Sequence, residues 1–164
     1  MSNRLNLREF QQQLNDRLQA KGQAGEQIST LGIQIGKDLW LVEMSDISEV
    51  LPIPPITTVP FTKPWYCGMA NVRGNLYSVV NLAAFMGQAD VLRDGRSRIL
   101  LVAQKFSFNA GLLVNRVLGL RNTRTWRRSE IGGRVQYQDQ QGQTWRQLNI
   151  SKLLQQPDFL HVEI

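Results

Sequence analysis

The sequence predicts an all-β protein built from two small barrels. Roughly nine or ten short segments carry alternating or continuous apolar residues, and their regular spacing is typical of sandwiches and barrels. The 13 glycines and 6 prolines among the 164 residues favour frequent turns over long helices. With a hydrophobic content of 42%, the chain can bury one large core or two smaller ones.

Residues 1–25 are predicted to form an amphipathic helix and a linker, separate from a β domain at 26–164. Apolar residues recur every three or four positions within residues 5–21, which places them on one helical face. They are Leu7, Phe10, Leu14 and Leu18. This face is free either to dock on the body of the same chain or to bind another chain. Gly22 and Gly25 end the helix and begin the linker.

A β-hairpin is predicted for residues 31–43, where the period of apolar residues changes to two. Its turn lies at 36–38, with the sequence Gly-Lys-Asp. Residues 45–50 follow as a predicted helical turn, with Ser45 as the N-cap and Glu49 in the last turn. The four prolines between residues 52 and 60 exclude a helix and a central strand, so this piece is expected to run extended along a sheet edge.

A second hairpin is predicted for residues 65–81, with its reversal at Arg73, Gly74 and Asn75. Gly74 accepts the positive φ angle that a tight reversal needs. Arg73 therefore lies at the hairpin tip, where its side chain either holds the turn or faces a partner.

The rest of the chain is predicted to alternate short strands with polar turns. A single helical turn at 82–86 ends at Gly87, and a polar connection spans 88–97. Strands are expected at 98–104, 110–115 and 117–125, the last broken by Gly119, and a hairpin at 134–148 turns at 139–142. Residues 149–155 form a short terminal helix that Pro157 stops.

The sequence carries no pattern of catalytic or metal-binding residues. Cys67 is the only cysteine and His161 the only histidine, so neither an internal disulfide nor a zinc site can be assembled. Cys67 is expected in the core, and His161 at the surface or packed by its neighbours. Neither a nucleophile elbow nor a phosphate-binding glycine loop occurs, and the carboxylates are scattered over predicted turns and ends. A protein without enzymatic activity, cofactor or metal is expected.

A soluble, cytoplasmic protein is also expected. Polar residues interrupt every apolar stretch near the N-terminus, so no signal peptide is predicted. The longest aliphatic run, residues 99–103, is far too short to cross a bilayer.

Positive charge is concentrated between residues 93 and 134. Against a net charge of +6, this segment carries +8 from ten basic and two acidic residues, so the remaining chain carries about −2. The basic residues are Arg93, Arg96, Arg98, Lys105, Arg116, Arg121, Arg124, Arg127, Arg128 and Arg134. One interpretation is a nucleic-acid-binding protein in which Trp126, beside Arg127, stacks on a base. The other is a solvated face, or a surface for an acidic protein partner.

Residues 64–82 resemble the signature of the CheW-like chemotaxis coupling proteins. The shared features are a proline, a glycine, the Asn-x-Arg-Gly pattern at 71–74 and an apolar strand. Three further segments follow in the family's order. Residues 44–52 resemble its glutamate-containing segment, 111–119 a strand pair of its second barrel, and 147–154 its closing helix. The resemblance extends from about residue 28 to residue 154. The N-terminal helix and residues 145–162 are similar to the PilI-type branch, which serves twitching motility by type IV pili.

The sequence departs from the family pattern at three positions. Ser78 stands where the family usually has proline, and Asn81 and Asn115 stand where it usually has aspartate. The missing charges leave the strands intact but could alter which partner is recognised.

The resemblance implies two five-stranded, SH3-like barrels that share an apolar layer. It also implies a non-catalytic adaptor, without cofactor or metal, that couples the cytoplasmic tip of a methyl-accepting chemoreceptor to the regulatory domain of a CheA-type histidine kinase. The protein would join membrane receptor arrays only through these partners. Arg73 and Glu49 correspond to the family's signature arginine and glutamate, so both, with Asn71 and Gly74, are predicted to lie at a partner-binding surface. The alternative is that Arg73 bonds carbonyl groups across the seam between the barrels.

Overall fold

A computed structural model describes residues 30–88 and 94–164 of the chain. The predicted N-terminal helix and linker, and part of the polar connection at 88–97, lie outside these residues. The described part of the chain contains eleven strands in two sheets, together with short helical segments.

The strands are numbered in chain order. They are β1 Thr30–Ile35, β2 Asp38–Glu43, β3 Ile47–Leu51, β4 Tyr66–Val72, β5 Asn75–Asn81, β6 Arg98–Val102, β7 Ala110–Val114, β8 Arg116–Arg121, β9 Arg127–Ile131, β10 Arg134–Gln138 and β11 Thr144–Gln147. The α-helices are α1 Leu82–Phe85, α2 Ile150–Gln155 and α3 Pro157–Leu160, and 3₁₀ turns occur at Met44–Asp46 and Gln104–Phe106.

The chain starts the first sheet, builds the whole second sheet, and then returns to finish the first. In hydrogen-bonded order, the first sheet is β8-β1-β2-β11-β10-β9 and the second is β3-β6-β7-β5-β4. Most neighbouring strands are antiparallel, whereas β2 pairs with β11, and β5 with β7, in parallel. The predicted all-β class with two small sheet units is confirmed, although one sheet has six strands instead of five.

A continuous apolar core joins the two sheets. β1 contributes Leu31, Ile33 and Ile35, because alternate side chains of a strand face the same side. All five residues of β7 are buried, as expected for a central strand that is covered on both faces. Cys67 belongs to the same core, as predicted. The two sheets therefore share one apolar layer.

The C-terminal helices complete this core with aromatic rings. Phe159 of α3 is 2% exposed, and its ring stacks on Trp65 with 6.2 Å between the centroids. Phe85 packs edge to face against Phe159 at 5.4 Å. The backbone N–H of Lys63 donates to the carbonyl of Val162 at 2.8 Å. The end of the chain is thus held both by the core and by the segment before β4.

The proline-containing segment runs along the edge of the second sheet, as predicted. Thr57 and Met69 of the edge strand β4 exchange two backbone hydrogen bonds of 2.8 Å. Gly68 makes this approach possible, because its φ is +133° and a Cβ atom there would lie 2.1 Å from the carbonyl oxygen of Thr57. Only glycine fits at this position without displacing the backbone.

The predicted helical turn at 45–50 is wrong. A 3₁₀ turn covers only Met44–Asp46, its N-cap is Glu43, and no side-chain cap bond forms, so Ser45 is not the cap. Glu49 lies instead on strand β3, which pairs antiparallel with β6. The physical reason is that the apolar residues around Glu49 gain a sheet partner that lies about fifty positions further along the chain, which no local pattern reveals.

Three further predictions of the chain's second half need correction. Strand β9 was missed, because all five of its residues are exposed and no apolar alternation marks it. Strand β8 ends at Arg121 and does not continue to 125. The strand pair expected at 111–119 is divided, since β7 belongs to the second sheet and β8 to the first. By contrast, the predicted hairpin formed by β10 and β11 and the helix at 149–155 are confirmed.

Candidate functional site

The tip of the β4–β5 hairpin places Arg73 and Gly74 at the two central positions of a tight turn. Val72 pairs with Asn75, and Arg73 and Gly74 have φ angles of +50° and +86°. Two positive φ angles in succession are typical of a type I′ turn, whose twist matches that of the flanking strands. The side-chain oxygen of Asn71 accepts the backbone N–H of Gly74 at 2.9 Å. Asn71 and Gly74 therefore shape the turn that presents Arg73.

Arg73 forms a two-pronged ion pair with Glu49. Its Nη1 donates to Glu49 Oε1 at 3.0 Å, and its Nη2 donates to Oε2. The planar guanidinium matches the two carboxylate oxygens, so this arrangement fixes the orientation of both side chains. The sequence also allowed the Arg73 guanidinium to bond carbonyl groups across the seam between the barrels. Among the described residues, its hydrogen-bond partner is instead the carboxylate of Glu49.

The ion pair connects the two outer strands of the second sheet. Glu49 lies on β3 and Arg73 follows β4, and these strands stand at opposite ends of the hydrogen-bonded order. A direct contact between them requires the sheet to curl until its edges approach each other. The pair thus fastens the curled sheet from outside, at a surface position.

The surface around the tip combines charge with an exposed apolar side chain. The side chains of Arg73 and Glu49 are 68% and 33% exposed. Leu76, which faces Asn71 across the hairpin, is 56% exposed. We call Glu49, Asn71, Arg73, Gly74 and Leu76 the hairpin-tip surface. The sequence did not mark Leu76 as a surface residue, because it sits in an otherwise apolar strand.

The ion pair changes the titration of both partners. The hydrogen bond from Arg73 holds the pKa of the Glu49 carboxyl below its ordinary value. Desolvation opposes this as the next-largest effect, and the Coulomb attraction of the guanidinium lowers the pKa by a smaller amount. The hydrogen bond to Glu49 likewise raises the pKa of Arg73. Both groups are therefore charged at neutral pH.

The three departures from the family pattern have local structural explanations. The backbone N–H of Ser78 donates to the carbonyl of Asn109 at 3.0 Å, a bond that proline could not make. Asn81 Oδ1 accepts the N–H of Ala84 and caps α1, and Asn115 Oδ1 accepts the N–H of Gly36 at 2.7 Å. Both asparagines use an acceptor oxygen that aspartate also offers, so these local bonds need no charge.

The basic residues between 116 and 134 do not form a single track. Adjacent Arg127 and Arg128 point to opposite faces of β9, and Arg128 lies 3.7 Å from Glu130. The guanidinium of Arg121 lies over the Trp145 ring at 5.6 Å. Trp126, the predicted platform for a base, packs against Trp145 with 5.4 Å between the ring centroids. These contacts give several of the side chains structural partners.

Two observations concern metals and membranes. In residues 30–88 and 94–164, no three or more His, Cys, Asp or Glu side chains come together in a group that could hold a metal ion. The helices of the same segments lack the length and hydropathy needed to span a bilayer.

Comparisons with known proteins agree with the resemblance found in the sequence. The CheW-like domain family matches residues 29–158. Protein PilI of Pseudomonas aeruginosa is 34% identical over 106 residues, which cover 64% of this chain and 58% of that protein. Chemotaxis protein CheW of Thermotoga maritima is 28% identical over 95 residues, covering 58% of this chain and 62% of that protein. The chain thus spans about three fifths of the length of these curated relatives.

A solved structure shares the fold. The crystal structure of the scaffolding protein TtCheW from Thermoanaerobacter tengcongensis superposes with a TM-score of 0.63, covering 73% of this chain and 87% of that chain at 18% identity. The similarity to PilI agrees with the predicted resemblance to PilI-type proteins. Because the family match covers well over half of the chain and the two-sheet fold agrees with it, this protein belongs to the CheW-like domain family.

Proposed function

We propose that this protein is a non-catalytic adaptor that couples a methyl-accepting chemoreceptor to a CheA-type histidine kinase. Membership of the CheW-like family and the similarity to PilI support a role in the chemosensory control of type IV pili. The observation that carries the proposal is the hairpin-tip surface, where an oriented guanidinium and an exposed leucine belong to the same β-hairpin. The protein would work in the cytoplasm and reach receptor arrays through its partners.

The hairpin-tip surface suits the helical hairpin at the cytoplasmic end of a receptor. A guanidinium has five N–H donors, and Glu49 accepts two of them, so donors remain on Arg73 for a receptor carboxylate or carbonyl. Leu76 offers an apolar contact to side chains of the receptor that recur every three or four residues along one face of a helix. Glu49 acts mainly by positioning Arg73, and Asn71 and Gly74 act by shaping the turn.

The second proposed partner is the regulatory domain of the kinase, which resembles this protein in fold. An adaptor must hold both partners at once, so the kinase domain must bind away from the hairpin-tip surface. Substitutions at the tip should therefore weaken receptor binding and leave kinase binding unchanged.

The test measures both interactions with purified components. The full chain is titrated with the receptor's cytoplasmic hairpin and, separately, with the kinase regulatory domain, both from the same organism, by isothermal calorimetry. We expect Arg73→Ala to weaken receptor binding by about tenfold or more, as truncation of an anchoring arginine typically does. Kinase binding should change less than about twofold, within the usual spread for a residue outside an interface.

A matched control comes from a second arginine–glutamate pair at the surface. Arg128 and Glu130 are 54% and 55% exposed and lie on β9 in the first sheet. Arg128→Ala should leave receptor binding intact, and circular dichroism should show that both variants fold. Equal losses in the two variants, or unchanged receptor binding in Arg73→Ala, would remove the hairpin tip from the interface. Absence of binding to both partners in the unmodified chain would reject the adaptor function itself.

A further inference from the structure

A pocket lined by three arginines lies where the chain crosses from the second sheet to the first. Arg98 begins β6 and pairs with Val114, the last residue of β7. Two residues after Val114, Arg116 begins β8 in the other sheet. Arg96 comes from the turn before β6. These side chains line a cavity of about 350 Å³.

The guanidiniums of this pocket have no carboxylate partner among residues 30–88 and 94–164. The ion pairs described there involve Arg73, Lys105, Arg128 and Arg146. Asp94, the nearest acidic residue in sequence, uses a carboxylate oxygen to accept the backbone N–H of Arg96. Like charges gathered in one cavity repel each other at distances shorter than the Debye length of about 10 Å, and an anion relieves that repulsion.

Arg98 is held in place before any ligand arrives. Its Nη1 donates to the carbonyl oxygens of Gly95 and Ser97, each at 2.8 Å. Two bonds at one nitrogen fix the plane of the guanidinium and leave its other N–H groups for a carboxylate or phosphate oxygen. The loss of conformational entropy on binding is smaller for such a pre-positioned side chain.

The remaining lining favours a peptide side chain as the occupant. Val117 and Leu118 give the cavity an apolar part that suits the methylene groups of glutamate or aspartate. The volume lies at the low end of the range for small-ligand sites and is large for a single inorganic ion. None of the described residues that line the pocket is aromatic, so they offer no ring on which a nucleic-acid base could stack.

We propose that the pocket of Arg96, Arg98 and Arg116 binds carboxylate side chains of an acidic segment of a partner protein. It lies on different elements from the hairpin-tip surface, with two of its arginines preceding or beginning β6 and one beginning β8. The proposal does not depend on the adaptor function, because the site is defined by its own charge and shape.

The experiment uses the full chain and a fluorescein-labelled hexaglutamate peptide as the probe, with fluorescence anisotropy as the readout. The variant Arg96→Glu/Arg116→Glu reverses two charges of the pocket and spares Arg98, which supports the turn. Arg127→Glu/Arg134→Glu is the control, with the same change in net charge at exposed positions of β9 and β10. We expect the pocket variant to lose at least about tenfold in affinity and the control less than about threefold.

Competition distinguishes the possible ligands. Excess inorganic phosphate and a single-stranded thymidine oligonucleotide are each tested for displacement of the peptide. Equal losses in the two double variants, no peptide binding, or tighter binding of phosphate or the oligonucleotide at the pocket would overturn the proposal. If Arg96→Glu/Arg116→Glu does not fold, as judged by circular dichroism, Arg96→Glu alone replaces it, since Arg96 is an exposed turn residue. That single variant must then weaken peptide binding more than Arg127→Glu does.

Discussion

Replacement of Phe159 by alanine should remove the aromatic contact that attaches the C-terminal tail to the core. Phe159 is 2% exposed, and Trp65, Phe85 and Phe108 lie within 6.3 Å of its ring centroid. Truncation of a buried phenylalanine to alanine typically costs about 3–5 kcal/mol, from lost transfer free energy and the cavity left behind. For a chain of this length, each kcal/mol lowers the melting temperature by about 2–4 °C, so the expected decrease lies between about 6 and 20 °C.

The assay is urea unfolding together with thermal unfolding, both followed by circular dichroism. Leu160→Ala is the matched control, because Leu160 is the next residue of α3 and is 52% exposed. Its cost should stay within about 0.5 kcal/mol. Hydrogen exchange at the Lys63 amide, which bonds to Val162 in the tail, should accelerate in Phe159→Ala. A loss below about 1 kcal/mol for Phe159→Ala, or a similar loss for Leu160→Ala, would contradict the inferred role of the tail in the core.

Two further predictions concern the ion pair and the glycines of β4 and its turn. Because the hydrogen bond from Arg73 lowers the pKa of Glu49 in the folded state, the small stability difference between the wild type and Glu49→Gln should be fully present at neutral pH. This difference should shrink as the pH falls below 4.5, the ordinary pKa of the carboxyl. If urea unfolding shows that the difference grows on acidification, the stabilising role of the Arg73–Glu49 ion pair is refuted. Gly68→Ala should cost more than about 2 kcal/mol, because its Cβ atom would clash with the Thr57 carbonyl. Gly74→Ala should cost only the backbone strain of about 1–2 kcal/mol, since no described residue beyond its chain neighbours has an atom within 4 Å of the added Cβ. Equal losses of unfolding free energy for the two glycine variants would show that the close approach at β4 is not what requires glycine.

Much of the hairpin-tip surface could be predicted from the sequence. The Arg-Gly pair between two apolar runs indicates a turn, because positive φ angles and the two-residue period are local properties of the backbone. The contact of Arg73 with Glu49 could not be derived in this way, since it joins β3 to the β4–β5 turn across 24 positions. The exposure of Leu76 also depends on how the sheet curls, which the composition of one strand does not specify.

The second half of the chain shows the same limit. β10 and β11 were found because their turn at 139–142 is rich in turn-forming residues. β9 was missed because it is an exposed edge strand, whose pairing with β10 provides most of its support. The arginine pocket combines residues that are about twenty positions apart, and only their convergence distinguishes them from the other basic residues.

The sequence by itself determined the all-β class, most of the hairpins, the position of Arg73 at a turn and the family resemblance, because these depend on short-range periodicity, on glycine and proline, and on contiguous motifs. Only the tertiary structure decided which strands share a sheet. It placed β7 and β8 in different sheets and brought Glu49 into an ion pair with Arg73. Such choices rest on pairings between distant segments, whose free energy comes from burying a common apolar layer and is not encoded in any one stretch of chain.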